Sequence, residues 1–442
     1  MHKNNSLETK KKLYIETYGC QMNFADSEIV ASVLSDNFEV CLEVKKADLI
    51  LINTCSIREN AEQRVLKRLV ELNALCRKNH KVKIGLIGCM AARFEKELIA
   101  EGLVDLVAGP DAYRFLPLLL DESYQQPVNT ILSTIETYDD ISPLRFHSNG
   151  VSAFISIMRG CNNFCSYCVV PYTRGRERSR NPETIVDEVK QLIDKGYKEV
   201  TLLGQNVNSY QWNHDVRFHD LIDKVASLDK SLRIRFATSH PKDLSDNLLQ
   251  VMAAYPNICK SIHLPAQSGS NVILERMNRK YTREWYLQRV EAILSYMPDA
   301  GISTDLIAGF CGETEQDHQD TLSLMQTVAY DFAFMFKYSE RSNTHASKHL
   351  HDDIPDEIKT RRLEEIITLQ QQLSHKSNLS DIGKVFEVLI ESRSKRSDEF
   401  YSGRNSRNKV IVFPKSHYKI GDYVNVKVDN CTTATLIGKI VE

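Results

Sequence analysis

The amino-acid sequence predicts an α/β fold: two successive blocks of alternating strands and helices, followed by a small all-β barrel. Three observations predict it. Short apolar runs alternate with helix-like segments from Leu13 to about Asp121, the alternation resumes at Val151, and from about Ile382 it gives way to short strands broken by glycines and basic turns. A chain of 442 residues is long enough for several separate cores, and three domains are expected.

Composition narrows the class. Hydrophobic residues make up 42% and charged residues 26%, with 12 prolines, which excludes disordered and fibrous chains. No run of eighteen apolar residues occurs, and no apolar segment follows the N-terminal lysines, so a cytoplasmic chain with no membrane partner is expected. The net charge of −2 does not announce a nucleic-acid partner, so local patches must carry that claim. Eleven cysteines, an odd number, favour metal ligation or catalysis over disulfides in a reducing compartment.

In the first block, KLYIETYGC, ADLILINTCSIRENA, VKIGLIGCMAARF and LVDLVAGP each read as a buried parallel strand running into a loop and a helix. Residues 122 to 150 read as a linker with some strand content. The second block carries VSAFISIMRG, KEVTLLGQNVNSY, RIRFATSHP, CKSIHLPAQSGS, GISTDLIAGFCGE and YDFAFMFKYS, separated by helical patterns such as PETIVDEVKQLIDKGY. That spacing implies repeated βα units, hence a parallel sheet or partial barrel. A helix over residues 354–380, with Pro355 in its first turn, precedes the short strands KVFEVLIES, KVIVFP and DYVNVKV of a small barrel.

Two sets of cysteines stand out. Cys161, Cys165 and Cys168 form a C-x3-C-x2-C group in a polar loop after an apolar strand. Three thiolates so close can hold three irons of a cubane and leave the fourth iron open. Zinc and unliganded thiols are the alternatives; a structural zinc site wants a fourth ligand, and no histidine lies near the loop. Cys20, Cys55 and Cys89 are about 34 residues apart, but each closes an apolar strand, and sites in α/β sheets gather at the carboxyl ends of strands. A second site-differentiated cluster is expected there, with inert buried thiols as the alternative. Cys41, Cys76, Cys259, Cys311 and Cys431 fit neither set and read as structural.

The loop RGCNNFCSYCVVPYTRGRERSR, with its C-x3-C-x-aromatic-C spacing, resembles the radical S-adenosylmethionine (SAM) superfamily. The resemblance implies that SAM's amino and carboxylate groups chelate the open iron and that one electron cleaves SAM to a 5′-deoxyadenosyl radical. It places Tyr167 beside the adenine, Gly204, Gln205 and Asn206 of LLGQN at the SAM amino group, and Ile307, Gly309 and Glu313 of TDLIAGFCGET near the adenine. Glycine turns with no ligand are the alternative for both strand ends. Together with YGCQMNFADS, NTCSIRENA and IGCMA, these motifs resemble the methylthiotransferases over residues 12 to 440. The implied organisation is a cluster-binding N-terminal domain at 12–128, a radical SAM core forming a partial (β/α) barrel at 147–378, and a TRAM-like RNA-binding barrel at 379–442. The implied cofactors are two 4Fe-4S clusters and SAM, with Cys20, Cys55 and Cys89 holding the auxiliary cluster and Cys161, Cys165 and Cys168 the other.

Within that family the residues around QMN and NNFCSYC most resemble enzymes that methylthiolate carbon 2 of dimethylallyl-adenosine at tRNA position 37. The resemblance implies that the auxiliary cluster carries a sulfur methylated by one SAM, while a second SAM supplies the radical. Arg174, Arg176, Arg178 and Arg180 alternate, so an extended segment would put all four on one phosphate-facing surface, with a solvated loop as the alternative. Arg393, Lys395, Arg396, Arg404, Arg407 and Lys409, interleaved with Phe400 and Tyr401, give the tail an RNA-binding or merely solubilising surface. Asp26, Ser27, Arg58 and Glu59 flank the first cysteines and are candidates for orienting them. No general base is assigned. The expected partners are the tRNA anticodon arm and a reducing donor such as a flavodoxin, with the chain acting as a monomer. The rivals are a methylthiotransferase for threonylcarbamoyl-adenosine or a ribosomal-protein aspartate, and a non-catalytic iron–sulfur RNA sensor.

Anaerobic reconstitution should load about eight irons, and replacing Cys161, Cys165 and Cys168 together by alanine should leave about half of them. Full iron in that variant would show that these thiols are not ligands.

Overall fold

The computed structural model describes residues 10–55, 59–76, 82–146 and 148–442. The chain forms two compact units: the residues before 148 with Arg159–Cys161 and Val169–Arg178, and the remainder, Ser148–Met158, Asn162–Cys168 and Ser179–Glu442. This division differs from the expected three domains in two places. Part of the cysteine loop belongs to the first unit, and the C-terminal barrel belongs to the second.

The first unit holds strands β1 (Lys11–Tyr18), β2 (Phe38–Val40), β3 (Leu49–Thr54), β4 (Lys83–Gly88), β5 (Leu106–Ala108) and β6 (Val128–Asn129). They form one sheet in the order β2-β1-β3-β4-β5-β6, parallel throughout. Helices α1 (Gln21–Val33), α2 (Glu59–Cys76) and α3 (Ala91–Ala100) connect the strands. Side chains alternate across a strand, so Leu49 and Leu51 pack with Ile29 and Val30 of α1, while Ile50 and Ile52 pack with Val65 and Leu69 of α2 and Leu98 of α3. A sheet covered on both faces requires uninterrupted apolar runs, and Leu49–Ile52 is one.

The segment expected to be a linker is part of this unit. Its Val128–Asn129 supplies β6, and Tyr138 is buried with its hydroxyl donating to the Pro110 carbonyl at 2.9 Å and accepting from the Tyr113 amide at 3.1 Å. The short strand agrees with the expected strand content, while the segment's polar composition concealed the buried Tyr138.

In the second unit β7 (Ser152–Ser156), β8 (Glu199–Leu203) and β9 (Arg233–Ala237) form a parallel sheet in the order β9-β8-β7. Strands β10 (Ser261–His263), β11 (Gly301–Ala308) and β12 (Phe332–Lys337) form a second parallel sheet in chain order, and a parallel bridge from Ile234 to Ile258 lies between the two. The result is the expected partial (β/α) barrel. Helices α4 (Pro182–Asp194), α5 (Phe218–Leu228), α6 (Asp246–Ala254), α7 (Arg283–Tyr296), α8 (Glu315–Val328) and α9 (Asp356–Leu379) accompany it. One apolar core joins Ile155, Val200, Ile234, Ile262 and Leu306 of the strands to Ile185, Leu221, Leu249, Val290 and Met325 of the helices. Pro355 stands at the N-cap of α9, one position before the expected first turn. Among the described residues no helix is long and apolar enough to cross a membrane.

Strands β13 (Val385–Ser394), β14 (Ser397–Arg404), β15 (Val410–Pro414), β16 (Tyr423–Cys431) and β17 (Leu436–Ile440) close into a barrel in the order β13-β14-β15-β17-β16. It docks on the partial barrel through polar contacts. Arg233 Nη1 donates to the Arg404 carbonyl at 2.6 Å, Arg235 Nη2 donates to the Asn405 carbonyl at 2.9 Å, and the Tyr423 hydroxyl donates to the Lys198 carbonyl at 2.9 Å. Beside them Asp381, fully buried after α9, accepts from Lys409 Nζ at 2.6 Å and Arg407 Nη1 at 3.2 Å.

Burial opposes the Asp381 charge, but Lys409 and Arg407 outweigh it and hold the carboxyl below its ordinary range. A depressed folded-state pKa stabilises the fold above the unfolded-state pKa, and that contribution is lost as pH falls through the folded value. Asp381→Ala should cost roughly 1–3 kcal/mol by chemical denaturation at neutral pH, because Lys409 and Arg407 lose their buried acceptor and keep only the Asp331 carboxylate. The variant should also lose less stability than wild type on acidification, and equal losses would show that Asp381 does not carry the coupling.

Candidate active site

In the first unit the three strand-end cysteines meet. Cys20 stands at the N-cap of α1, Cys55 follows β3 and Cys89 follows β4 just before α3. Cys55 lies within hydrogen-bonding reach of both Cys20 and Cys89, and both Cys55 and Cys89 are buried. The Cys55 hydrogen bond and the Arg174 guanidinium pull Cys20 down to about 6 and Cys89 to about 7 against burial, and Cys55, between two thiolates, is pushed up. Three thiols so crowded ionise together only when a bound cation takes up their charge.

An amide network sets the cysteine positions. Asn53 Nδ2 donates to the Asn23 carbonyl at 2.8 Å and to Ser27 Oγ at 2.9 Å, and Asn23 Nδ2 donates to Asn53 Oδ1 at 3.0 Å. Gly88, at φ +91°, passes so close that a Cβ would lie 2.4 Å from Asn53 Oδ1. Below the thiols lies a buried charge cluster. Asp26 accepts from Arg159 Nη1 and Arg174 Nη2, each at 2.8 Å, and from the Tyr113 hydroxyl at 3.2 Å. Arg174 Nε then donates to Cys89 Sγ at 3.1 Å, while its Nη1 is buried with no partner among the described residues. Soft sulfur donors beside an unsatisfied cationic donor fit an anionic iron–sulfur cluster.

The residues expected to orient the cysteines divide. Asp26 holds Arg174, and Ser27 belongs to the amide network. Arg58 and the side chain of Glu59 lie outside the described residues. Asn23 and Asn53 escaped the sequence reading, although an asparagine three positions after a helix-capping Cys20 was a usable signal.

In the cysteine loop the Cys161 amide donates to the Gly175 carbonyl at 3.1 Å within the first unit. In the second unit the Cys168 amide donates to the Cys165 carbonyl at 2.9 Å, and Arg279 Nη1 donates to the buried Cys165 Sγ at 3.2 Å and to the Tyr167 hydroxyl at 3.4 Å. Arg279 was not anticipated; a guanidinium on a cysteine sulfur suits a thiolate ligand. Tyr167 and Ile307 share one apolar cluster with Phe310 and Tyr338. Gly204 and Gln205 follow β8, and Asn206 Nδ2 donates to Asp243 Oδ2 at 2.7 Å. The Gly309 amide donates to Glu313 Oε1 at 2.9 Å, and Arg362 Nη1 holds the same oxygen at 2.9 Å. Glu313 therefore braces the turn after β11. Buried atoms with no partner among the described residues also mark strand carboxyl ends: Ser156 Oγ on β7, Asn208 after β8, and Ser239 Oγ and His240 Nε2 after β9. Such groups take ordered water or a polar ligand as partner, and SAM is a ligand of that chemistry.

The arginine expectation is corrected. Arg176 is exposed, but Arg174, Arg178 and Arg180 are buried and do not share a surface with it. Arg178 Nη2 pairs with Asp111 at 2.8 Å, and Arg180 pairs with Glu188. Buried carboxylates opposite these positions turned the guanidiniums inward. Arg407 and Lys409 are likewise corrected, because Asp331 and Asp381 hold them at the base of the barrel. Arg404 is partly exposed and pairs with Glu391, while Arg393, Lys395 and Arg396 are exposed around the β13–β14 hairpin. Glu315, His318 and Glu365 also lie close together, but Arg361 bridges both carboxylates and supplies the cation there.

Comparison with known proteins adds three family matches. Residues 155–325 match the Radical SAM superfamily, 12–109 match Uncharacterized protein family UPF0004, and 380–441 match the TRAM domain. The chain is 56% identical to a tRNA-2-methylthio-N(6)-dimethylallyladenosine synthase of Phocaeicola vulgatus, covering 98% of this chain and 96% of the relative. A relative of the same name from Bacteroides fragilis is 54% identical, covering 99% and 98%. Among solved structures, the radical S-adenosylmethionine methyltransferase TsrM of Kitasatospora setae is similar, with TM-score 0.56, 13% identity and coverage of 74% and 75%. The cobalamin-dependent S-adenosylmethionine radical enzyme OxsB is similar with TM-score 0.53, 11% identity and coverage of 82% and 56%. These two likenesses concern the fold.

Gly88→Ala should force a side chain into a left-handed backbone and into Asn53, lowering the reconstituted iron to about half, or about four atoms. Gly102→Ala, at φ +63° with nothing within 4 Å, meets the same backbone cost and should keep all its iron. Equal iron in both variants would show that the Asn53 contact does not set the thiol geometry.

Proposed function

Because this chain belongs to the family of tRNA-2-methylthio-N(6)-dimethylallyladenosine synthases, we propose that it attaches a methylthio group to carbon 2 of N(6)-dimethylallyladenosine at tRNA position 37. The observation that carries the reading is the convergence of Cys20, Cys55 and Cys89 beside Arg174, in a chain that also holds the Cys161–Cys165–Cys168 loop. A 4Fe-4S cluster with SAM on its open iron supplies, when bound, a carbon radical able to attack an aromatic C–H bond that acid–base chemistry does not reach.

Cys161, Cys165 and Cys168 would hold that cluster, with Arg279 Nη1 positioned by its hydrogen bond to Cys165 Sγ. Tyr167 and Ile307 offer an apolar wall to the adenine, and the Gly204–Gln205–Asn206 turn receives the SAM amino group. Gly309 and Glu313 keep the β11 turn closed beneath them. Cys20, Cys55 and Cys89 would hold a second cluster as the source of sulfur, with Arg174 fixed beside them by its Nε hydrogen bond to Cys89 Sγ. Exposed Arg176, Arg393, Lys395 and Arg396 meet tRNA phosphates around the anticodon arm. A reducing protein such as a flavodoxin provides the electron, and the enzyme works as a cytoplasmic monomer.

The Cys20/Cys55/Cys89 triple alanine variant should keep reductive SAM cleavage, read as 5′-deoxyadenosine, and form no methylthiolated tRNA. Product from this variant would refute a second cluster as sulfur source. Replacing Arg393, Lys395 and Arg396 together by alanine should weaken tRNA binding and flatten the plot of log affinity against log salt by roughly 0.7 to 0.9 for each phosphate no longer neutralised. An unchanged slope would place the RNA elsewhere.

A further inference from the structure

The turn leaving β9, Thr238–Ser239–His240, is strained and under-satisfied. Thr238 has φ +72°, a left-handed backbone that a β-branched residue almost never adopts. Its carbonyl accepts from the Val207 amide at 2.9 Å, which fixes the strained residue against the turn after β8. Ser239 and His240 are 5% and 4% exposed, and Ser239 Oγ and His240 Nε2 have no partner among the described residues. Strain of this kind persists where the surrounding structure holds a group in place for a ligand.

The imidazole is held on every other side. Its backbone amide donates to Asn206 Oδ1 at 3.0 Å, its Nδ1 accepts from the Lys242 amide at 3.3 Å, and its ring meets Tyr281 edge-on at 5.6 Å. Because Nδ1 accepts, the ring proton resides on Nε2, so the unsatisfied atom is a donor. A buried donor left unpaired costs more than a hydrogen bond gains. Its complement is an acceptor from outside the described side chains.

Charge identifies that acceptor. Burial, Arg279, Lys242 and Lys280 all oppose a charge on His240 and keep it neutral. The same cations favour an anion. Arg279, one of these cations, also touches Cys165 Sγ and the Tyr167 hydroxyl, and Asn206, which holds the His240 backbone amide, belongs to the turn after β8 given above to SAM. SAM has one anionic group, its carboxylate. Chelation of an iron through the amino nitrogen and one carboxylate oxygen leaves the other oxygen free to accept.

We propose that His240 binds SAM by donating a hydrogen bond from Nε2 to the SAM carboxylate, with the Ser239 hydroxyl available beside it. The proposal rests on the radical SAM reading of this chain.

The test uses full-length, reconstituted, oxidised protein, in which SAM binds without being cleaved, and measures affinity by equilibrium dialysis for SAM and for decarboxylated SAM. His240→Phe keeps the aromatic contact with Tyr281 and should lose about tenfold to a hundredfold in SAM affinity. Its affinity for decarboxylated SAM, its iron content and its tRNA affinity should not change, and His240→Gln, which retains a donor, should recover most of the loss. Unchanged SAM affinity, equal losses for both ligands, or a loss confined to tRNA would each overturn the proposal. Should His240→Phe fail to hold iron, wild-type protein with 15N-labelled histidine and SAM 13C-labelled at the carboxylate decides. One histidine nitrogen should show dipolar coupling to that carbon in solid-state NMR, and none would overturn the proposal. A wild-type protein that binds no SAM at all would instead refute the radical SAM reading.

Discussion

Asp26 is fully buried on α1 and neutralises two guanidiniums, Arg159 and Arg174. Ion pairs this deep require that every partner be present, because a lone buried charge is far more costly than the pair is favourable. This constraint draws Arg159–Cys161 and Val169–Arg178 into the first unit, and it keeps Arg174 charged beside Cys89. Three thiols packed together need a positive neighbour if they are to act as ligands, and Arg174 is that neighbour. The carboxylate that holds it never touches sulfur.

The two sets of cysteines follow one physical scheme. Cys20 follows β1, Cys55 β3 and Cys89 β4, at the carboxyl ends of parallel strands where several loops can meet, and the Cys161–Cys165–Cys168 loop follows the carboxyl end of β7 along the chain. Each has one buried guanidinium on one sulfur, Arg174 on Cys89 and Arg279 on Cys165. Each guanidinium is fixed by acceptors away from the sulfur, Asp26 in one case and the Pro265 carbonyl in the other. On Cys89 the Arg174 guanidinium favours thiolate over thiol against burial.

Periodicity made the framework legible. The LILIN run, buried on both faces, and the alternating strands of the tail have patterns that only one kind of sheet satisfies. The three strand-end cysteines were visible for the same reason, since each closes a run whose burial is certain. The arginines of TRGRERSR were not, because burial of a charged residue depends on a distant partner. Asp26 and Asp111, far away in sequence, turn Arg174 and Arg178 inward, and no local pattern carries that information. Lys409 and Arg407 misled in the same way, with Asp381 as the hidden partner. His240 and Thr238 sit in an ordinary-looking strand ending, and only the backbone angle and the unsatisfied nitrogen distinguish them.

Whether this chain methylthiolates a dimethylallyl-adenosine in tRNA is read most directly by mass spectrometry of tRNA nucleosides from cells lacking the gene. In such cells the 2-methylthio nucleoside should disappear, N(6)-dimethylallyladenosine should accumulate, and the wild-type gene should restore the modification. A 2-methylthio nucleoside that persists at its normal level in the deletion strain would contradict this activity.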